Sequence, residues 1–65
     1  MKYIIQIIAG DYLEIEKFRG LINIENLNKN RHKIKFIYND LIKLFDYITS
    51  NNIKYEKLNI ISKGD

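Results

Sequence analysis

Sixty-five residues make one domain, spanning 1–65, and a chain this short buries only about 60% of the surface its unfolded form exposes, so its margin of stability is thin. With no cysteine and a single histidine, it has neither disulfides nor a metal cluster to reinforce a core worth roughly 3–5 kcal/mol, and association with another copy or a larger protein becomes the expectation. A net charge of +3 and a pI near 9.2 raise nucleic-acid binding, yet Glu14, Glu16, Lys17 and Arg19 mix both signs and only Lys29–Lys35 forms a basic run, a pattern that predicts a mixed solvated surface.

Residues 2–9 form a continuous β-branched run, the signature of a strand covered on both faces, with Ile4 and Ile8 pointing one way and Ile5 and Ile7 the other. Gly10-Asp11 interrupts it, and Asp11 with Glu14 three residues on predicts a capping box at the start of a short helix. Leu13 or Ile15, together with Phe18, would face the core, and Gly20 would end the helix in a left-handed conformation. Ile22 and Ile24 then alternate with polar residues, predicting a strand over Leu21–Glu25, and the asparagine-rich stretch Asn26–Arg31 reads as a hairpin loop.

His32–Tyr38 has the clearest alternation in the chain: Ile34, Phe36 and Tyr38 line one face, and Lys33, Lys35 and Ile37 the other. Asn39 or Asp40 caps a second helix whose Leu41, Leu44, Phe45 and Ile48 make one apolar stripe. Asn51-Asn52 ends that helix, because asparagine tolerates the left-handed region. A last strand is expected over Ile53–Ser62, followed by a frayed tail, Lys63-Gly64-Asp65.

The order strand, helix, strand, strand, helix, strand predicts an α+β fold, a ferredoxin-like βαββαβ sandwich with two helices on one face of a four-stranded antiparallel sheet. In that fold the second sheet face is left open. Because the first strand is apolar on both sides and Ile37 interrupts the basic side of its own strand, the expected protein interface comprises Tyr3, Ile5, Ile7 and Ile37.

The chemistry of catalysis is not legible in the chain. His32 has no serine or cysteine near it in sequence, and Asp11 is explained by capping more simply than by a cation, which needs several oxygen ligands. No glycine-rich phosphate loop is present. The reading is a non-enzyme with no cofactor and no metal site. If the basic run contacts nucleic acid, Arg31, Lys33 and Lys35 supply the charge, with Tyr3 and Tyr55 as possible stacking residues. The lack of cysteine fits the cytoplasm, no apolar run approaches the roughly 20 residues of a membrane span, and the strand pattern directly after Met1-Lys2 is too short for a signal-peptide core.

Two segments carry a family resemblance. Asn39-Asp40-Leu41-Ile42-Lys43-Leu44-Phe45-Asp46-Tyr47-Ile48-Thr49-Ser50-Asn51-Asn52-Ile53, followed by Lys54-Tyr55-Glu56-Lys57-Leu58-Asn59-Ile60-Ile61-Ser62, resembles the C-terminal accessory domain of ATP-binding subunits in bacterial ABC-type exporters, and the opening Tyr3-Ile4-Ile5-Gln6-Ile7 is similar as well. The Pro-Ser-Leu-Glu-x-x-Phe segment that follows the last strand in that family is not in this sequence. The resemblance implies a regulatory domain that adjusts contacts with its own ATP-binding subunit, or with a paired copy in a dimer, without touching ATP. The alternatives are a stand-alone phage or plasmid-type inhibitor of a host protein and a small nucleic-acid-binding protein.

Overall fold

A computed structural model describes residues 1–24 and 32–64, the side chains of 63 and 64 excepted. It is an α+β structure with the elements β1 (Lys2–Ile8), α1 (Tyr12–Glu16), a 3₁₀ turn (Lys17–Gly20), β2 (Lys33–Tyr38), α2 (Leu41–Ser50) and β3 (Lys57–Gly64). Among the described residues the sheet has three strands in the order β2-β1-β3, and both neighbours run antiparallel to β1; a fourth strand is not among them. β2 and β3 are therefore parallel to each other, and α2 carries the chain from one to the other across the sheet. None of the described helices is long and apolar enough to cross a membrane.

Local chemistry explains where the helices start. Asp11 takes an extended conformation, and its Oδ1 accepts from the backbone N–H of Leu13 at 2.7 Å and of Glu14 at 3.3 Å, which satisfies donors that no preceding turn can reach. The expected capping box is only half made. Glu14 turns instead to the segment before β3, its Oε1 accepting from the Lys54 N–H at 2.7 Å, and also from the neighbouring Lys17 Nζ at 3.0 Å. Asp40, rather than Asn39, caps α2 by accepting from the Lys43 N–H at 3.0 Å. Asn52, with φ of 49°, makes the left-handed stop expected after α2.

The core lies between the helices and one face of the sheet. Ile5, Ile7 and Ala9 from β1 and its end meet Ile15 and Phe18 from the first helical segment, Leu44 and Ile48 from α2, and Ile53 from the connection to β3. Phe18 stands at its centre, 6.3 Å from the ring of Phe36 and 6.2 Å from that of Tyr47. Of the residues proposed for the first helix, Ile15 and Phe18 are buried while Leu13 is exposed; in α2, Phe45 lies at the edge of the apolar stripe and is 42% exposed.

Three expectations are corrected. Leu21–Ile24 is a turn followed by irregular chain rather than a strand, held in part by Arg19 Nη1 donating to the Ile24 carbonyl at 2.9 Å; Glu25 and the Asn26–Arg31 loop lie outside the described residues. Gly20 is not left-handed. Its requirement is space, because a Cβ there would stand 2.6 Å from Tyr47 Oη, which donates to the Lys17 carbonyl at 2.6 Å. The last strand begins at Lys57 and continues to Gly64, opposite Lys2, so two residues read as frayed tail are in the sheet, and Asp65 lies outside the described residues. The chain between α2 and β3 is fixed by the Ile53 N–H to the Ile48 carbonyl at 3.0 Å and the Glu56 N–H to the Ile8 carbonyl at 2.8 Å.

Candidate protein-interaction face

Pairing in the sheet sorts the strand residues into two sets, because directly opposed residues in antiparallel strands project to the same face. Tyr38–Tyr3–Ser62, Phe36–Ile5–Ile60 and Ile34–Ile7–Leu58 make three cross-strand rows on the side covered by the helices. Ile37–Ile4–Ile61, Lys35–Gln6–Asn59 and Lys33–Ile8–Lys57 make three rows on the other side. No described helix packs on this second face, and Ile37 and Ile61 are 51% and 58% exposed.

The placement revises the sequence-derived interface. Ile37 is on the open face as expected. Ile5 and Ile7 are not: each is fully buried, and they belong to the core. Tyr3 shares their face and packs against the core, half-buried. The residues that reasoning missed are Ile4, Ile61 and Lys57. One signal was available in the sequence: Gln6 is the only polar residue inside β1's isoleucine run, and it sits with Ile4 and Ile8, which marks theirs as the wetter face. A second lay in Lys57 and Asn59, which share the parity of Ile61 and oppose that of Leu58 and Ile60.

Charge is segregated where mixing was expected. The three strands hold five lysines, Lys2, Lys33, Lys35, Lys57 and Lys63, and no aspartate or glutamate. Lys33 and Lys57 stand at one end of the open face, flanking Ile8 about 10 Å apart by two strand spacings, and Lys35 stands in the middle row beside Gln6. On the helical side, Lys17 pairs with Glu14 and Arg19 Nε with Glu16, each at 3.0 Å. Of the proposed nucleic-acid contacts, Lys33 and Lys35 are thus together on this face, while Arg31 lies outside the described residues.

A cleft of about 400 Å³ lined by Gly10, Asp11, Glu14, Lys54, Tyr55 and Glu56 lies at the far end of β1. Two of its three carboxylates have structural work. Asp11 caps α1, and Glu14 ties α1 to the chain before β3; the Lys54 amide, and then the Lys17 ammonium, hold the Glu14 carboxyl below the ordinary glutamate range. His32 stands nearby but outside the lining. Its Nδ1, which carries the proton because a carbonyl only accepts, donates to the Gly10 carbonyl at 2.9 Å, while the His32 carbonyl accepts from the Ala9 N–H at 2.7 Å. Tyr55, 43% exposed in this cleft, is far from Tyr3, so the two suggested stacking residues do not share a surface.

No family model matches the chain, and neither a curated protein nor a solved structure matches it.

Proposed function

We propose that this chain is a non-catalytic interaction or regulatory domain that docks a protein partner on the open face of its sheet. The observation that carries the reading is the row Ile37–Ile4–Ile61, three isoleucines side by side on the side away from the helices, with its two outer members more than half exposed. Scattered surface isoleucines need no explanation, but a contiguous row across all three strands of so small a sheet is the kind of patch that marks an interface. Thin intrinsic stability points the same way, since a bound partner stabilises the folded state by mass action.

The architecture supports a ferredoxin-like relationship: β2, α2 and β3 form a split βαβ unit around β1, which occupies the gap between the two parallel strands. Within this reading, the resemblance to exporter accessory domains nominates an ATP-binding subunit or a paired copy as partner, and a stand-alone inhibitor of a host protein would use the same face.

The test is a selection of peptide binders from a displayed random library against the full chain, repeated with the Ile37→Asn/Ile61→Asn variant. Binders recovered by the wild type should lose most of their affinity for the variant while its circular dichroism stays native. Binders indifferent to the two substitutions would place the docking surface elsewhere and end this reading.

A further inference from the structure

Resting on the open-face reading, we infer that its occupant is an acidic protein surface, one that sets an apolar side chain on the Ile37–Ile4–Ile61 row and carboxylates over Lys33, Lys35 and Lys57. The rows are ordered along the strands. The isoleucine row lies at one end, and the Lys33–Ile8–Lys57 row lies four residues further along β1, a separation of about 13 Å. Lys35 stands between them beside Gln6. The isoleucine row is therefore bordered by cations, with Lys2, which shares the parity of Ile4 and lines a shallow pocket with Ile37, at its own end and the Lys33–Lys57 row at the other, and no carboxylate on any strand neutralises them. A partner that buried the isoleucines while leaving neutral groups over the lysines would desolvate their charge without compensation; opposed carboxylates remove that cost and steer the encounter.

Two other occupants fit the face less well. A second copy laid face to face adds three further lysines, Lys33, Lys35 and Lys57, to the seam. It also has no carboxylate of its own to offer the lysines. Single-stranded nucleic acid would want aromatic rings to stack on. Among the described residues, the strand aromatics Tyr3, Phe36 and Tyr38 all lie on the covered face, and isoleucines stand where rings would be needed.

The experiment uses the peptide pool selected on the full chain as probe, with two variants, Ile37→Asn/Ile61→Asn and Lys33→Glu/Lys35→Glu/Lys57→Glu, both checked for native circular dichroism. The expected result is a pool enriched in aspartate and glutamate around an apolar residue, with affinity reduced at least about tenfold by the lysine reversals and falling as salt is raised. If the reversals unfold the chain, the neutral Lys→Gln triple replaces them and should weaken binding in the same direction. A pool lost on the isoleucine variant but unaffected by either lysine variant overturns the acidic partner and leaves the open-face reading standing. A pool indifferent to the isoleucine variant overturns both. A short oligonucleotide that binds more tightly than the pool, with the steep salt dependence of phosphate contacts, overturns the protein partner in favour of nucleic acid. A concentration-dependent dimer in light scattering, abolished by Ile37→Asn/Ile61→Asn, overturns it in favour of a second copy.

Discussion

The two faces of this sheet are built from the same three strands and, in β1, from the same residue type, yet they do different things. Ile5 and Ile7 point at Phe18 and the helices and are fully buried; Ile4 and Ile8, one position away, point at solvent with lysines, Gln6 and Asn59 as neighbours. A strand's side-chain period of two makes this switch absolute, so a shift of one residue converts core into surface. The lesson is that composition says little about an isoleucine in a small sheet. What matters is its parity relative to the helices, and the parity of its cross-strand partners decides whether it stands alone or in a row.

The sharpest way to break the comparison is to place the same polar side chain on each face. Ile5→Asn should lose about 2–5 kcal/mol, on the scale of the whole stability of so small a domain, and leave the chain largely unfolded in circular dichroism at ambient temperature. Ile37→Asn should change the unfolding free energy, read from urea titration, by no more than about 0.5 kcal/mol, as exposed substitutions do. Equal losses would show that the two faces are not distinct.

A second, smaller effect probes how tightly the helical layer closes over the covered face. Gly20→Ala pushes a methyl group against Tyr47 Oη, and overpacking of this kind costs about 1–3 kcal/mol. Tyr47→Phe alone forfeits the hydrogen bond to the Lys17 carbonyl, about 0.5–1.5 kcal/mol. Because removing the hydroxyl also removes the clash, the double variant should be more stable than Gly20→Ala by itself; strict additivity in denaturant unfolding would contradict the close approach. Asp11→Ala should then cost about 1 kcal/mol through the lost cap on α1, read from the same unfolding curves.

The smallest effect is electrostatic. Glu14 has a lowered pKa in the folded chain, so its contribution is present above the ordinary glutamate range and is lost as pH falls through that range toward the lowered native value. Glu14→Gln should flatten this acid limb, destabilising the domain more at neutral than at acid pH. A variant whose stability parallels the wild type at every pH would mean that the carboxylate's contacts with Lys54 and Lys17 contribute nothing.

Much of the fold was legible because local chemistry decides it. Asp11 and Asp40 start the helices, Asn52 stops the second one, and the alternation of Lys33–Tyr38 assigns both of its faces, including the outward turn of Ile37. The strand expected at Leu21–Glu25 failed because alternation of two isoleucines says a segment suits a sheet edge, not that an edge receives it; over Leu21–Ile24 the chain instead stays close to the 3₁₀ turn, with the Leu21 and Ile22 N–H groups donating to the Phe18 carbonyl. The interface went to Ile5 and Ile7 for a related reason: an apolar run without a clear period does not disclose which parity the helices take, and Gln6 was a single polar clue within it.

By itself, then, the sequence determined the elements that depend on near neighbours: two capped helices, the alternation of Lys33–Tyr38, an apolar first strand and a chain too small to be stable by a wide margin. Only the tertiary structure decided which isoleucines are core and brought Lys57 onto the same open face as Lys33 and Lys35, residues more than twenty positions away in sequence. The physical reason is that helix caps and side-chain periodicity are set by contacts within a few residues, whereas strand register is a long-range choice settled by burying the largest apolar surface at once, and the composition of a face follows from register alone.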